Sequence, residues 1–169
     1  GVDRMTKRIT ISTLDAMKAS GDKFVMITAY DATFARLASE AGAETILVGD
    51  SLGMVLQGRE TTIPVSLDAM TYHTECVARA RPHSLIVADL PFMSFSNADD
   101  TLHASTRLMQ AGAQMIKLEG GTWLSDSIHR LVERGVPVCA HLGLTPQSVS
   151  VFGGYRVQGR TPKEAKSIL

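Results

Sequence analysis

Ionisable side chains stand at the ends of four successive apolar runs in the sequence. A charge inside such a run is costly to bury unless it is paired or bound to a metal. One aspartate at a strand end would be interpreted as a turn or cap residue, but the coincidence across four runs predicts a functional site. The residues concerned are Asp50, Asp89, Lys117, Glu119 and His141.

Three of these side chains are carboxylates, namely Asp50, Asp89 and Glu119. Carboxylate oxygens without clustered Cys or His ligands are typical of a site for a hard cation, so this set predicts Mg²⁺. Lys117 is predicted to neutralise a substrate carboxylate or an enolate oxygen. His141 is predicted to hydrogen-bond the same substrate.

Five short runs are apolar throughout, as strands buried on both faces should be, and amphipathic stretches separate them. Strand and helix repeated in order predict parallel strands, whose carboxyl ends form the ligand-binding edge. Lys117 and Glu119 are two residues apart and should share a face. The predicted strands are 24–30, 45–49, 84–88, 114–118 and 136–140, and the predicted helices are 32–41, 67–80, 99–111 and 122–134.

Two parallel architectures are compatible with this order, the (β/α)8 barrel and the open doubly wound sheet. The first strand is not followed by a glycine-rich phosphate loop, which favours the barrel. Five strand–helix units are visible and 166–169 falls in a sixth helical stretch, whereas a barrel needs eight strands and about 250 residues. We therefore expect 1–169 to be a single, C-terminally incomplete α/β TIM-barrel domain. Met5 is the expected native start, with 1–4 a cloning remnant.

The composition narrows the class of protein. The 169 residues are 44% hydrophobic and 20% charged, which excludes a disordered chain. Seventeen basic residues balance seventeen acidic ones, so charge gives no argument for a nucleic-acid or membrane partner. Two cysteines do not suggest a disulfide framework, and no apolar run is long enough to span a membrane. A cytoplasmic enzyme is the expectation.

Several longer motifs then resemble one known family. They occur in the same order as in ketopantoate hydroxymethyltransferases, and together they are far more specific than any one of them. The resemblance extends from about Met5 to the last residue. The matching segments are ITAYD at 27–31, LVGDSLGM at 47–54, ADLPFM at 88–93, KLEGG at 117–121, HLGLTPQSV at 141–149, and the glycine-rich segment 152–160.

This resemblance implies a (β/α)8 barrel of the phosphoenolpyruvate/pyruvate type. It implies transfer of a one-carbon unit from 5,10-methylenetetrahydrofolate to 3-methyl-2-oxobutanoate, giving 2-dehydropantoate through a Mg²⁺-stabilised enolate in pantothenate biosynthesis. It also implies a homo-oligomer, commonly a decamer. The same resemblance implies that Mg²⁺ is bound by Asp50, Asp89 and Glu119. It implies that the oxo acid is contacted by Asp50, Ser51, Asp89 and Lys117, and that His141 is a pocket histidine.

The family's general base is a glutamate at the end of the sixth strand, which we expect beyond residue 169, so no catalytic residue is assigned in this chain. Two alternatives stay open. One is another Mg²⁺-dependent carbon–carbon lyase for a 2-oxo acid in the same barrel type, which would not need folate. The other is a non-catalytic fragment of the transferase. The segment 152–160 is interpreted either as a flap over the pocket or as a solvated loop.

Overall fold

Continuous apolar runs form the strands of one sheet in the computed structural model, which describes residues 7–142 and 149–152. The strands lie in chain order across the sheet, and the first five are parallel. The sixth pairs antiparallel with the fifth. The strands are β1 (Met26–Thr28), β2 (Thr45–Val48), β3 (Leu85–Asp89), β4 (Met115–Gly120), β5 (Val138–Leu142) and β6 (Val149–Phe152).

Helices connect the parallel strands, and local signals fix where they begin and end. The Ser66 hydroxyl accepts a hydrogen bond from the backbone N–H of Ala69, which caps the helix that follows. Gly112 ends another helix with a φ of 120°, a conformation that favours glycine. The helices are α1 (Ile11–Ser20), α2 (Ala32–Glu40), α3 (Leu52–Val55), α4 (Leu67–Arg79), α5 (Ala98–Ala111), a 3₁₀ turn (Thr122–Leu124) and α6 (Ser125–Glu133).

The two faces of the sheet pack against different partners. One face packs against the connecting helices and forms the larger core, which includes Ile46, Ile86 and Ile116. On the other face the first residues of the strands, such as Leu85 and Met115, pack against Leu14 of α1. The backbone N–H of Ile9 also donates to the carbonyl of His83, just before β3 (2.7 Å). Helix α1 therefore closes the amino end of the strands.

The five predicted strands and four predicted helices are present, and the α/β class with parallel strands is confirmed. Three elements were not predicted: α1, α3 and the antiparallel β6. Residues 153–160 of the glycine-rich segment and the helical stretch at 166–169 lie outside the described residues. In the part of the chain that the structure describes, no helix has the length and apolar character needed to cross a membrane.

Candidate functional site

The sheet face that packs against α1 changes from apolar to charged along β3, β4 and β5. In β3 the alternate residues Leu85 and Val87 are buried, and Asp89 follows them at the carboxyl end. The strand register places Asp89 beside Lys117, and Glu119 beside His141. Neighbouring residues in a parallel register share a face, so the four side chains converge as the sequence predicts.

Lys117 joins the acidic residues of the site. Its Nζ lies 3.6 Å from Oδ1 of Asp89 and 3.2 Å from Oε1 of Glu119. The same Glu119 oxygen lies 3.6 Å from Nδ1 of His141. Asp89 and Lys117 are largely buried, with side chains 14% and 22% exposed, whereas Glu119 is 60% exposed. The pair of Asp89 and Lys117 is therefore the buried centre of the cluster, and Glu119 lies at its solvent side.

The environment shifts the ionisation of these groups. Burial raises the pKa of Asp89 to about 6, although Lys117 opposes this shift. Burial alone would lower the pKa of Lys117, but the attraction of Asp89 and Glu119 outweighs it and raises that pKa. Burial likewise opposes the shift at Glu119, whose pKa is lowered by its interactions with Lys117 and His141. Neighbouring charges therefore favour the ionised forms of Lys117 and Glu119, whereas burial disfavours the ionised form of Asp89.

Asp50 lies in the turn after β2, next to Asp89. Its backbone N–H donates a hydrogen bond to Oδ2 of Asp89 (3.0 Å), and burial raises the pKa of its own carboxyl. The close approach depends on Gly49, because a Cβ there would lie 3.3 Å from the Asp89 oxygen and 3.2 Å from Oγ of Ser51. A glycine before Asp50 therefore lets both polar groups approach the backbone.

Ser51 is held by a tyrosine that sequence analysis did not assign to the site. Oη of Tyr30, which follows β1, and Oγ of Ser51 are 2.7 Å apart and share a hydrogen bond. The carbonyl of Tyr30 is in turn 2.8 Å from Nδ1 of His73 on α4. The position of Tyr30 at the end of a strand could have marked it as a site residue. Its partner Ser51 is 21 residues away and cannot be identified from sequence spacing.

The residues predicted to hold Mg²⁺ are only partly brought together. Within residues 7–142 and 149–152, no three Asp, Glu, His or Cys side chains are grouped so as to hold a metal ion. Asp50 and Asp89 are adjacent, but Glu119 is linked to Asp89 through the Lys117 ammonium. The donor chemistry still fits, because all three supply carboxylate oxygens and burial penalises the negative charge of Asp50 and Asp89. The metal ligands therefore remain a prediction.

The family model of ketopantoate hydroxymethyltransferase matches residues 8–169. The curated 3-methyl-2-oxobutanoate hydroxymethyltransferase of Marinobacter nauticus is 57% identical over 161 residues, covering 95% of this chain and 61% of that protein. The protein of the same name from Burkholderia vietnamiensis is 58% identical, covering 95% and 59% respectively. The chain thus spans about three fifths of the length of the curated relatives it matches.

Solved structures with a similar fold have much lower sequence identity. A 2,3-dimethylmalate lyase of the PEP mutase/isocitrate lyase superfamily matches with a TM-score of 0.61 at 16% identity, over 78% of this chain and 52% of that one. A phosphonopyruvate hydrolase solved with oxalate and Mg²⁺ matches with a TM-score of 0.56 at 22% identity, over 65% and 38%. These likenesses bear on the fold alone, and they confirm the predicted barrel class, of which this chain supplies five parallel strands and their helices.

Proposed function

The chain belongs to the ketopantoate hydroxymethyltransferase family, and from this premise we propose that the complete protein transfers a one-carbon unit to 3-methyl-2-oxobutanoate. The donor we propose is 5,10-methylenetetrahydrofolate, and the product is 2-dehydropantoate. The geometric observation that carries the proposal is the Lys117 ammonium between Asp89 and Glu119 at the carboxyl end of the sheet. It offers the positive charge that an oxo acid requires, beside oxygen ligands for a cation.

The acceptor would bind in this cluster of charges. Lys117 would neutralise negative charge on the carboxylate or the developing enolate oxygen of the oxo acid. The Ser51 hydroxyl, positioned by Tyr30, would hydrogen-bond the acceptor, and His141 would contact it from the neighbouring strand. Mg²⁺ held by Asp50, Asp89 and Glu119 would supply Lewis-acid stabilisation of negative charge on the acceptor when bound.

The reaction itself requires removal of the proton on C3 of the oxo acid. The resulting carbon nucleophile forms a bond to the methylene carbon of the donor, and the two bonds from that carbon to N5 and N10 of the folate break. Water supplies the hydroxyl oxygen and its hydrogen, and the two folate nitrogens take up the C3 proton and the second proton of water. The base that takes the C3 proton is not assigned among the described residues. From the family resemblance we propose a glutamate outside these 169 residues as this base, and we propose that the protein is a homo-oligomer.

The test is turnover by the full-length protein. We expect it to convert 3-methyl-2-oxobutanoate to 2-dehydropantoate only when methylenetetrahydrofolate is present. Cleavage of a different oxo acid without folate would favour the lyase alternative instead. Asp89→Asn should weaken both Mg²⁺ and oxo-acid binding, whereas Asp15→Asn, at an exposed position of α1, should change neither. Unchanged affinity of Asp89→Asn for both ligands would remove Asp89 from the site.

A further inference from the structure

Two aromatic rings lie in the loops that follow β3 and β4 at the carboxyl end of the sheet. Phe95 lies between β3 and α5, and Trp123 lies in the 3₁₀ turn after β4. Their ring planes are 6° from parallel and their centroids are 6.1 Å apart. Parallel rings at this separation are offset, so part of each flat face is not covered by the other.

The indole of Trp123 is held against the backbone beside the charged cluster. A Cβ on Gly120 would lie 3.1 Å from Cζ2 of Trp123, and one on Gly121 would lie 3.2 Å from its Cδ1. Both distances are shorter than ordinary contacts, so the indole packs directly on the chain that immediately follows Glu119. Phe95 packs in turn against the buried core. The aromatic pair is therefore fixed next to the proposed acceptor site.

This part of the molecule leaves apolar side chains in water. Trp123 is 58% exposed, and Phe92 and Met93, in the loop that also holds Phe95, are 53% and 63% exposed. Met93 has a φ of 64°, which is unfavourable for a residue with a side chain. Strained backbone and exposed apolar side chains beside a polar site are both typical of segments that contact a ligand.

We propose that Trp123 and Phe95 form a stacking surface for a flat heteroaromatic ring, the pterin of the one-carbon donor. This inference rests on the proposed function, since it assigns the second substrate of that reaction to a place beside the first. The charged cluster suits the small, anionic acceptor, whereas the apolar rings suit a planar ring system. The indole of Trp123 packs on Gly120 and Gly121, which directly follow Glu119, so a ring stacked there would hold the donor next to the acceptor.

Binding measurements on the full-length protein test this assignment. Aromatic stacking on a heterocyclic base contributes enough that we expect Trp123→Leu to raise the Kd for tetrahydrofolate about tenfold. The Kd for 3-methyl-2-oxobutanoate should stay within about twofold, because that ligand does not contact the indole. Trp123→Phe, which keeps a flat ring, should give an intermediate Kd for tetrahydrofolate. If Trp123→Leu does not fold, the Kd of Trp123→Phe tests the stacking surface in its place. Tyr72→Leu, which removes an aromatic side chain 59% exposed on α4, is the matched control and should not change either Kd.

Fluorescence adds a direct report from the ring. Trp123 is the single tryptophan of the 169-residue sequence, so its emission is obtained by subtracting the Trp123→Phe spectrum from that of the wild type. Tetrahydrofolate should quench this difference signal, and the oxo acid should not. Absence of quenching at saturating tetrahydrofolate would overturn the proposal.

The binding data separate failure of this inference from failure of the proposed function. If the wild type binds both ligands and Trp123→Leu binds tetrahydrofolate within twofold of it, only the stacking surface is overturned. The same holds if Trp123→Leu loses both ligands equally, since the effect would then be general. If the wild type binds the oxo acid but not tetrahydrofolate, the folate donor of the proposed function is overturned together with this inference.

Discussion

The ammonium of Lys117 lies 3.6 Å from Oδ1 of Asp89, across the β3–β4 pair, and both side chains are largely buried. Removing one partner of such a pair leaves the other as an uncompensated buried charge. Burial already raises the pKa of Asp89 to about 6 with Lys117 present. Replacing either residue should therefore affect both ligand binding and the free energy of unfolding through the partner that remains.

Stability should depend on pH through Asp89 when no metal is present. The pKa of about 6 in the folded protein lies above the usual value of 3.8, so the folded state binds this proton more tightly than the unfolded state. The contribution to stability is complete below pH 3.8 and is lost as the pH rises through 6. Between pH 4 and pH 7 we expect the free energy of unfolding of the wild type to fall by up to about 3 kcal/mol relative to Asp89→Asn.

Denaturant titrations in metal-free buffer at each pH measure this difference. Asp15→Asn serves as the control, because Asp15 is exposed on α1, and its curve should parallel that of the wild type. If the wild type and Asp89→Asn show the same pH dependence, Asp89 does not titrate in this range in the folded protein.

Replacing Lys117 by glutamine should change the pKa of Asp89 and reduce the catalytic efficiency of the enzyme. Loss of the ammonium removes the attraction that lowers the pKa of Asp89, so that pKa should rise above about 6. It also removes the charge proposed to face the acceptor, and we expect kcat/KM to fall at least about 100-fold. Steady-state kinetics of the full-length enzyme measure this effect. Lys18→Gln, at an exposed position in the last turn of α1, should leave kcat/KM unchanged, and a similar loss there would argue against a specific role for Lys117.

Magnesium binding should weaken in acid. A protonated carboxyl does not serve as a metal ligand, and the pKa values of Asp89 and Asp50 are both raised by burial. Below pH 6 we expect the Kd for Mg²⁺ to increase as the pH falls, approaching about tenfold per pH unit once the pH is well below the pKa of Asp89. Calorimetry in two buffers of different ionisation enthalpy should detect proton release on binding at pH 5. A Kd that does not vary between pH 5 and pH 7 would contradict the assignment of Asp89 as a ligand.

Adding one methyl group at Gly49 should impair binding more than folding. The new Cβ would lie 3.2 Å from Oγ of Ser51 and 3.3 Å from Oδ2 of Asp89, so both polar groups would have to move. We expect Gly49→Ala to raise the KM for the oxo acid about tenfold while the free energy of unfolding changes by about 1 kcal/mol or less. Kinetics and denaturant unfolding of the same sample test the two parts. A large loss of stability with an unchanged KM would show that the contact matters only for packing.

The hydrogen bond between Tyr30 and Ser51 should be detectable as energetic coupling. Tyr30→Phe removes the phenol oxygen that lies 2.7 Å from Oγ of Ser51, and Ser51→Ala removes the other partner. If Tyr30 acts by positioning Ser51, the two changes should be non-additive in kcat/KM, with a coupling energy of about 1 kcal/mol. Additive effects in the double mutant would mean that Tyr30 acts independently of Ser51.

The strands and the charged cluster were predictable because each depends on local sequence. Unbroken apolar runs such as 84–88 specify strands buried on both faces, and the alternation of Lys117 and Glu119 specifies their common face. Helix α1 was missed because Leu14 is its one fully buried residue, and Ile11 and Met17, which pack beside it, are only partly buried. Helix α3 has only four residues, too few for a periodic pattern. The strand β6 has only four residues, and it overlaps at Phe152 the segment 152–160 that was interpreted as a flap or a loop.

Contacts between distant elements were beyond sequence reasoning. The Tyr30 hydroxyl meets Ser51 because two parallel strands bring their ends together, and no spacing rule encodes that meeting. The same holds for Phe95 and Trp123, which come from different loops. For Glu119 the sequence predicted the correct edge of the sheet, but not that the Lys117 ammonium lies between it and Asp89.

Helix α1 has an electrostatic consequence for the opposite end of the strands. Apolar side chains such as Leu14 cover the amino end of the strands, so the charged side chains lie above a layer of low polarizability instead of water. This apolar layer directs the electric field of the three carboxylates toward solvent at the carboxyl end of the strands. A cation in solution would be drawn toward that end, and the rate of its capture would rise as ionic strength falls. A helix without a charge in the site thereby helps to set how fast the site is filled.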